Sequence, residues 1–220
     1  MTGSYPIETK NKVRQLPEKA HYDHASVHRI LDAGLVAEVG FVQDGAAIVV
    51  PMIYGRRNDT IFLHGARKAR VIRLLEQNEE ACVNVTLVDG LVLARSAFHS
   101  SMRYRSATIF GSLKLIESTE EKLHAMRVIS DHTMPGRWDE LREPLSREIK
   151  MTGVIALDIT TASAKTSAKM PEDEEEDYSS PIWAGVLPMT ASFSTLIDDD
   201  KLSAGIEPSD VVRSLEGRTL

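Results

Sequence analysis

The chain has 220 residues, of which 42% are hydrophobic and 26% charged, and its formal net charge is −6. This length fits one domain or two small ones with a real core, and the acidic balance argues against a general nucleic-acid binder, which would present a basic domain. No stretch approaches the roughly 18 apolar residues of a membrane span, and the polar first residues lack the apolar core of a signal peptide. We therefore expect a cytoplasmic protein whose partners are neither nucleic acids nor membranes.

The predicted elements begin with an N-terminal arm, residues 1–22, and a helix that follows it. Asp23 is a typical helix N-cap, and Gly34 is a typical residue to end the helix. The apolar face of this helix consists of Val27, Ile30 and Leu31. Such a face predicts packing against a larger core.

Three β-like segments come next: "LVAEVGFV", "AAIVVPMIY" and "TIFLH". The stretches "QDG" and "GRRND" between them are turn signals, which favours antiparallel hairpins. The third segment leads directly into "ARKARVIRLL", where apolar residues recur at helical spacing. We predict a helix whose first turn carries Arg67, Lys68 and Arg70.

The remaining strands are "CVNVTLV", "LVLARSAF" after a turn at Asp89-Gly90, "YRSATIFGSLKLI" and, after two helices, "GVIALDIT". The first of those helices begins at a capping box formed by Ser118 and Glu121, and the second covers residues 139–150. About seven strands with few helices between them do not fit alternating βα units. The sequence therefore predicts a mostly β, α+β fold, an antiparallel barrel with peripheral helices.

Composition divides the chain further. We assign residues 23–162 to the barrel domain and residues 163–180 to a solvated loop, because six acids run from Glu172 to Asp177. An apolar patch, "PIWAGVLPM", follows this loop. We expect residues 181–220 to form a C-terminal segment that packs on the barrel or on a partner subunit.

The basic cluster at the predicted helix start is the first sign of function. A helix N-terminus carries about half a positive charge and favours acids by about 0.3–1 kcal/mol each, so Arg67, Lys68 and Arg70 oppose it. Two interpretations remain open. The cations form a solvated surface cluster, or they bind an anion such as a phosphate together with free backbone N–H groups. Gly65 slightly favours the anion, because a residue without Cβ lets the backbone approach a ligand.

A second polar cluster lies in "AFHSSMRYRS", residues 97–106. It brings a histidine, an aromatic ring, hydroxyls and arginines into one short stretch, and its members of interest are His99, Ser100, Tyr104, Arg105 and Ser106. One interpretation is a polar hairpin loop. The other is a cleft, in which His99 and Tyr104 are the catalytic candidates for proton donation.

Several common sites are not indicated. Neither His64 nor His99 belongs to a metal-binding spacing, and Cys82 is the single cysteine, so we predict no metal site and no disulfide. The chain has no G-x-S-x-G elbow, no G-x-G-x-x-G turn and no P-loop. These absences argue against a serine hydrolase, a Rossmann site and a P-loop nucleotidase.

The order of these motifs resembles a known family. "IVVPMIY", "TIFLH", "ARKARVIRLL", "VDGLVLARSAFHSSMRYRSATIFGSLKLI" and the late "PIWAGVLP" are similar to the flavin-nucleotide-binding branch of the pyridoxamine 5′-phosphate oxidase-like split-barrel family. That branch also includes relatives of 5-nitroimidazole resistance reductases. The resemblance covers about residues 10–190 and implies a split β-barrel.

The resemblance implies a homodimer that holds FMN at the subunit interface. It assigns the flavin phosphate to Arg67 and Lys68, with help from Arg70, and a polar pair beside the phosphate or ring to Arg105 and Ser106. Further cofactor-binding residues that it implies are Met52, Ile53 and Tyr54 under the isoalloxazine, His64 and Gly65 at the end of the next strand, and Trp183 covering the flavin.

Two departures from the family pattern affect the expected activity. Ala66 replaces the serine that precedes Arg-Lys, so Ser100 or Ser106 would have to supply that hydroxyl. The arginine-leucine pair that the oxidases place after their C-terminal tryptophan is not evident after Trp183, which argues against pyridoxamine phosphate oxidation. We expect an FMN-dependent oxidoreductase acting on a small molecule of unknown identity. The alternatives are a non-catalytic flavin sensor, a haem- or deazaflavin-binding barrel, and a plain interaction protein.

Overall fold

The computed structural model describes residues 3–220. Its strands are β1 (Ala20–His21), β2 (Val36–Gln43), β3 (Ala46–Arg57), β4 (Thr60–Ala66), β5 (Glu80–Leu93), β6 (Ser101–Ile116), β7 (Thr152–Ser167) and β8 (Gly185–Pro188). Its α-helices are α1 (His24–Ala33), α2 (Arg70–Gln77), α3 (Thr119–Thr133), α4 (Ser146–Met151) and α5 (Asp210–Arg213). Short 3₁₀ helices cover Pro17–Lys19, Arg137–Glu140 and Glu175–Ser179. None of the helices in this part of the chain has the length and apolarity that crossing a membrane requires.

Six strands close into a barrel, which confirms the predicted fold class. The order β7-β4-β3-β2-β5-β6 returns to β7 through the β6–β7 pairing, and every pairing is antiparallel. The β2–β3 turn contains Asp44 and Gly45 and the β3–β4 turn contains Asn58, all with positive φ. Such residues suit tight hairpins, because the left-handed region matches the twist of the strands.

The core fills the barrel and extends beneath α1 and α2. Along β2, buried residues alternate with exposed ones, so that Ala37, Val39 and Phe41 point inward. Ile72 and Leu75 of α2 are fully buried, and so is Leu31 of α1. Each fully buried aliphatic side chain of this kind contributes about 1.5–3 kcal/mol.

One predicted turn is wrong. The turn expected at Asp89-Gly90 does not form, because β5 continues through it to Leu93, and the register shifts between Val88 and Gly90. A β-bulge accommodates the glycine, whose φ is 153°, without reversing the chain. The chain reverses later, in the segment between Leu93 and Ser101. The strand predicted as "LVLARSAF" is therefore the end of β5 and this connection.

Other boundaries also differ. β7 extends to Ser167, beyond the predicted start of the acidic loop at residue 163, because it pairs with β6 along its length. The helix predicted over residues 139–150 is a 3₁₀ turn and the separate α4. In the C-terminal segment, Ser209 hydrogen-bonds Glu140 (2.8 Å) and Arg218 donates to the carbonyl of Thr133 (3.4 Å). The division into arm, barrel, loop and C-terminal segment stays a prediction.

Gly55 is required where α3 crosses β3. A Cβ on this residue would lie 2.7 Å from backbone atoms of Ile129 and Val128. We expect Gly55→Ala to lower the free energy of unfolding by about 1–3 kcal/mol, because backbone of α3 would have to move. Gly40→Ala is the control, since its Cβ would have only ordinary contacts, the nearest at 3.5 Å. Urea denaturation measures both, and equal losses would contradict the assigned packing.

His132 on α3 makes stability depend on pH. Burial lowers its pKa, with opposing contributions from the Gly34 carbonyl and Asp32, which raise it, and from Arg56 and Arg218, which lower it. The unfolded chain, with a histidine pKa near 6.5, therefore takes up the proton first, and stability is lost as pH falls below about 6.5. We expect His132→Gln to lose less stability between pH 7.5 and 5.5 than the natural chain, measured by urea unfolding. An identical loss would exclude His132 as the source.

Candidate functional site

The basic turn, residues 66–70, joins β4 to α2. Its backbone is fixed by hydrogen bonds from the N–H of Arg67 to Met151 (2.7 Å) and from the N–H of Ala69 to Ala66 (2.8 Å). The predicted helix start is therefore wrong by a few residues: Arg67 and Lys68 precede α2, and only Arg70 lies in its first turn. Only Arg70 therefore stands within the helix start, where a positive charge opposes the dipole directly.

The cations of the basic turn differ in how they are neutralised. Arg67 donates two hydrogen bonds to the Glu76 carboxylate (2.9 and 3.0 Å), and Arg70 donates one to Gln43 (2.9 Å). Lys68 is exposed and has no ion-pair partner among residues 3–220. An exposed ion pair contributes about 0.2–1 kcal/mol. An arriving anion would therefore displace Glu76 from Arg67 at small cost.

Strand β3 does not present all its predicted residues outward. Tyr54 is fully buried inside the barrel, where its hydroxyl donates to the carbonyl of Leu31 at 2.5 Å. Met52 is also buried, whereas Ile53 is half exposed. Because successive side chains alternate between the faces of a strand, only Ile53 offers its side chain to a ligand outside the barrel. The prediction that this strand runs under the flavin stays untested, but any contact from Met52 or Tyr54 would have to come from the backbone, because both side chains are buried.

His64 lies near the end of β4 and has a ring nitrogen that makes no hydrogen bond within residues 3–220. Its Nδ1 is buried and has no hydrogen-bond partner among the described residues. An unpaired buried polar group costs about 1–3 kcal/mol, and burial lowers the pKa of the imidazole, which keeps it neutral. Gly65 beside it packs against Ile72, because a Cβ there would lie 3.2 Å from that side chain.

The second cluster lies on a ribbon formed by residues 86–93 of β5 and 101–106 of β6, of which residues 104–106 also pair with β7. Strand β8 pairs with the outer edge of β5 in this ribbon. Arg105 is already engaged, because it donates to both carboxylate oxygens of Asp89, at 2.6 Å for the shortest bond. That hydrogen bond raises the pKa of the Arg105 guanidinium. Ser106 and Tyr104 are half-buried in β6.

The connection between the ribbon strands holds Ser100 and His99. Ser100 shapes this turn: its hydroxyl donates to Ser96 (2.9 Å) and accepts from the N–H of Ala94 (3.1 Å). The Nε2 of His99 lies 3.4 Å from a carboxylate oxygen of Glu174 in the acidic loop. His99 also lines a cleft of about 430 Å³ whose other walls include Lys19, Val92, Phe98, Met102, Lys169 and Met170.

Trp183 lies two residues before β8, the strand that pairs with the ribbon. Its indole covers Gly185, where a Cβ would lie 2.6 Å from the ring, yet 68% of the tryptophan remains exposed. Phe98, at the tip of the ribbon, is 98% exposed. Large exposed aromatic side chains in one region are typical of a surface that binds a ligand or a protein.

Within one chain, the basic turn and the ribbon lie at opposite ends of β7. Arg67 is bonded to Met151, just before β7 begins, whereas Tyr104 pairs with Ser167, where β7 ends. A strand of 16 residues is roughly 50 Å long along its path. The placement of Arg105 and Ser106 beside the phosphate or ring stays a prediction; within one chain they lie at the other end of β7 from Arg67 and Lys68.

Sequence analysis missed a further cluster. His24 and His28 stand four residues apart on α1, and both approach Asp59 of the β3–β4 turn, together with Tyr5 of the arm. The sequence carries the signal in the H-x-x-x-H spacing of His24 and His28. The contribution of Asp59 and Tyr5 depends on the fold.

Comparison with known proteins identifies the family. The family model described as pyridoxamine 5′-phosphate oxidase matches residues 23–166. Since this match spans well over half of the chain, the protein belongs to that family, which confirms the resemblance. Among curated proteins, none matches the chain significantly.

Solved structures resemble the chain over a longer range. The flavocytochrome Anf3 from Azotobacter vinelandii is 32% identical, with a TM-score of 0.88, over 95% of this chain and 97% of that one. An FAD- and haem-binding protein from Mycobacterium smegmatis is 34% identical, with a TM-score of 0.87, over 90% and 98%. A candidate 5-nitroimidazole antibiotic resistance protein from Bacteroides thetaiotaomicron is 27% identical, with a TM-score of 0.54, over 66% and 85%.

Proposed function

We propose that the protein binds a flavin nucleotide and acts as a flavin-dependent oxidoreductase on a small molecule. The observation that carries this proposal is the basic turn, where Lys68 is exposed without an ion-pair partner among residues 3–220 and Arg67 has only a surface pair. A phosphate would take charge-assisted hydrogen bonds from both side chains, each worth about 1.5–3 kcal/mol. The similarity to two solved proteins described as a flavocytochrome and as an FAD- and haem-binding protein supports it.

We propose FMN as the nucleotide, because its terminal phosphate carries two charges and matches a compact pair of cations. FAD is the competitor, since the name of the mycobacterial structure specifies it. FAD presents a diphosphate followed by an adenosine, which requires additional surface beyond the basic turn. Binding measurements with both nucleotides distinguish them.

The proposed functional unit is a homodimer with the flavin at the subunit interface. Two observations support this arrangement: the basic turn and the ribbon lie at opposite ends of β7 in one chain, and the ribbon region exposes Phe98 and Trp183. In a symmetric dimer, the same patch of both copies is used, so the ribbon of one copy can approach the basic turn of the other. Burial of the two aromatic side chains would then stabilise the dimer.

In this proposal the cofactor carries out the redox chemistry, and a few residues of the chain bind it or supply protons. A bound flavin supplies the electron transfer itself. Arg67 and Lys68 hold the phosphate, and Ile53 offers an apolar outer surface on the strand that pairs with β4. The proposed proton donors are Tyr104 of the ribbon and His99 of the connection between the ribbon strands. Loss of the flavin's visible absorbance on anaerobic addition of NADPH supports catalysis, and a bound flavin that NADPH does not bleach favours a sensor.

Replacing the two cations tests the phosphate assignment. We expect Arg67→Ala combined with Lys68→Ala to weaken FMN binding at least about 10-fold while riboflavin binding changes little, because riboflavin lacks the phosphate that these side chains neutralise. Fluorescence titration of the flavin measures both affinities. Lys201→Ala combined with Arg213→Ala removes two exposed cations of the C-terminal segment and serves as the control.

A single substitution of Glu76 should strengthen FMN binding. Glu76→Gln removes the charge that holds Arg67, so FMN affinity should rise relative to riboflavin. Equal losses for FMN and riboflavin in the double variant, together with no change in the Glu76 variant, would assign the basic turn to the surface and not to a phosphate site.

Haem is a second candidate ligand, and His64 is the observation that favours it. A neutral imidazole is the form that ligates a metal, and the Nδ1 of His64 is buried without a partner in the described chain. Two of the similar structures are described as a flavocytochrome and as a haem-binding protein. We propose that His64 would hold the haem iron if haem is bound.

Reconstitution with haemin tests this assignment. We expect a shifted Soret band in the natural protein and its loss in His64→Ala, because the variant lacks the proposed iron ligand. His124→Ala removes a histidine of α3 and should retain the band. Identical Soret bands in the natural protein and both variants would exclude His64 as the ligand, and flavin binding measured in parallel keeps the two cofactors separate.

A further inference from the structure

Four side chains meet where the N-terminal arm crosses α1 and the β3–β4 turn. The Oδ1 atom of Asp59 lies 3.1 Å from Nδ1 of His24, 3.0 Å from Nε2 of His28 and 2.5 Å from the hydroxyl of Tyr5. The Tyr5 hydroxyl also lies 2.9 Å from Nε2 of His28. We call this set the histidine–aspartate cluster. None of its members belongs to the basic turn or to the ribbon.

We propose that His24, His28 and Asp59 bind a divalent transition-metal ion of the class represented by Zn²⁺. One ligand atom from each of the three residues lies within 4.8 Å of the others. Two imidazoles and a carboxylate are a common donor set for such ions, and the histidines stand four residues apart on one face of α1.

The distances between the donors fit this class of ion. For a tetrahedral ion with bonds of about 2.0–2.1 Å, neighbouring donors are about 3.3 Å apart. The two nitrogens lie 3.1 and 3.0 Å from the Asp59 oxygen. Both nitrogen-to-oxygen distances are therefore within a few tenths of an ångström of the spacing that the ion requires.

The charges of the cluster also suit a cation. Burial acts to raise the pKa of Asp59, but hydrogen bonds from Tyr5 and His28 lower it overall, so the carboxylate is ionised. Burial, assisted by the charge of Arg56, lowers the pKa of His28, so its imidazole is neutral. Deprotonated ligands are the forms that bind a metal. Arg56 opposes a cation, but both its Nε and Nη2 atoms donate to the Asp32 carboxylate, at 2.7 and 2.6 Å, which offsets its charge.

Tyr5 would support the ligands and would not become one. Burial, with the Asp59 hydrogen bond and charge, raises its pKa far above the ordinary value, so the phenol keeps its proton and donates to Asp59. A hydrogen bond of this kind orients a metal-bound carboxylate. The side chains of His24, His28 and Asp59 are 18%, 15% and 36% exposed, which leaves solvent access for the ion and for a water molecule as its fourth ligand.

The experiment uses the full chain without an affinity tag, stripped with EDTA. We expect Zn²⁺ to bind in a 1:1 ratio in competition with a chromophoric chelator, and Co²⁺ to give the visible bands of a tetrahedral site. His24→Ala combined with His28→Ala should weaken Zn²⁺ at least about 100-fold, beyond the 10–100-fold typical of residues that only support ligands. His21→Ala combined with His124→Ala is the matched control and should bind as the natural chain does.

Asp59→Asn covers the case in which the double histidine variant does not fold, because it keeps the shape of the side chain and a hydrogen-bond acceptor for Tyr5. It should also weaken Zn²⁺, with circular dichroism reporting its fold. Zn²⁺ binding that is equal in the natural chain, the double variant and Asp59→Asn would show adventitious sites elsewhere. That result, or the absence of Co²⁺ bands and Zn²⁺ binding in the natural chain, would overturn the proposal and leave a metal-free hydrogen-bonded cluster. Neither outcome bears on flavin binding.

Discussion

The pairing of β6 with β7 is the constraint on which the rest of the structure depends. It runs from Tyr104 opposite Ser167 to Ile116 opposite Val154, and it closes a sheet that would otherwise have two long free edges. Closure satisfies the backbone groups of all six strands and gives the buried faces one common interior. It also fixes the two ends of β7, and through them the positions of the basic turn and the ribbon.

The residues proposed to bind the flavin fall into two separate groups on one chain. The first group lies around the end of β4. It consists of the basic turn, the outer face of β3 and the Nδ1 atom of His64, which is unpaired within residues 3–220. The ribbon carries Tyr104 and an Arg105 that is already paired with Asp89, and the exposed Trp183 covers Gly185 of β8, the strand that pairs with the ribbon. Each group is an incomplete site by itself, so association of two copies would be part of assembling the cofactor site as well as a source of stability.

The sequence predicted the fold because its local signals agree: alternating apolar residues, turn residues such as Asp44-Gly45, and caps at Asp23 and Ser118. The sequence-based prediction failed where a residue is compatible with two different local structures. Gly90 suits both a turn and a bulge, and only pairing with β8 and β6 decides between them. Tyr54 follows the correct alternation, but which face turns inward is set by tertiary packing. The Tyr5–Asp59 contact spans 54 residues of sequence, so no local pattern could reveal it.

Strand β8 protects the molecule against uncontrolled self-association. The ribbon would otherwise leave β5 with an unpaired outer edge, and such edges recruit strands from other molecules into aggregates. β8 occupies that edge from Leu93 to Gly90 and ends at Pro188, which has no N–H to offer a further strand. A strand from another molecule would therefore find this stretch of the β5 edge already occupied.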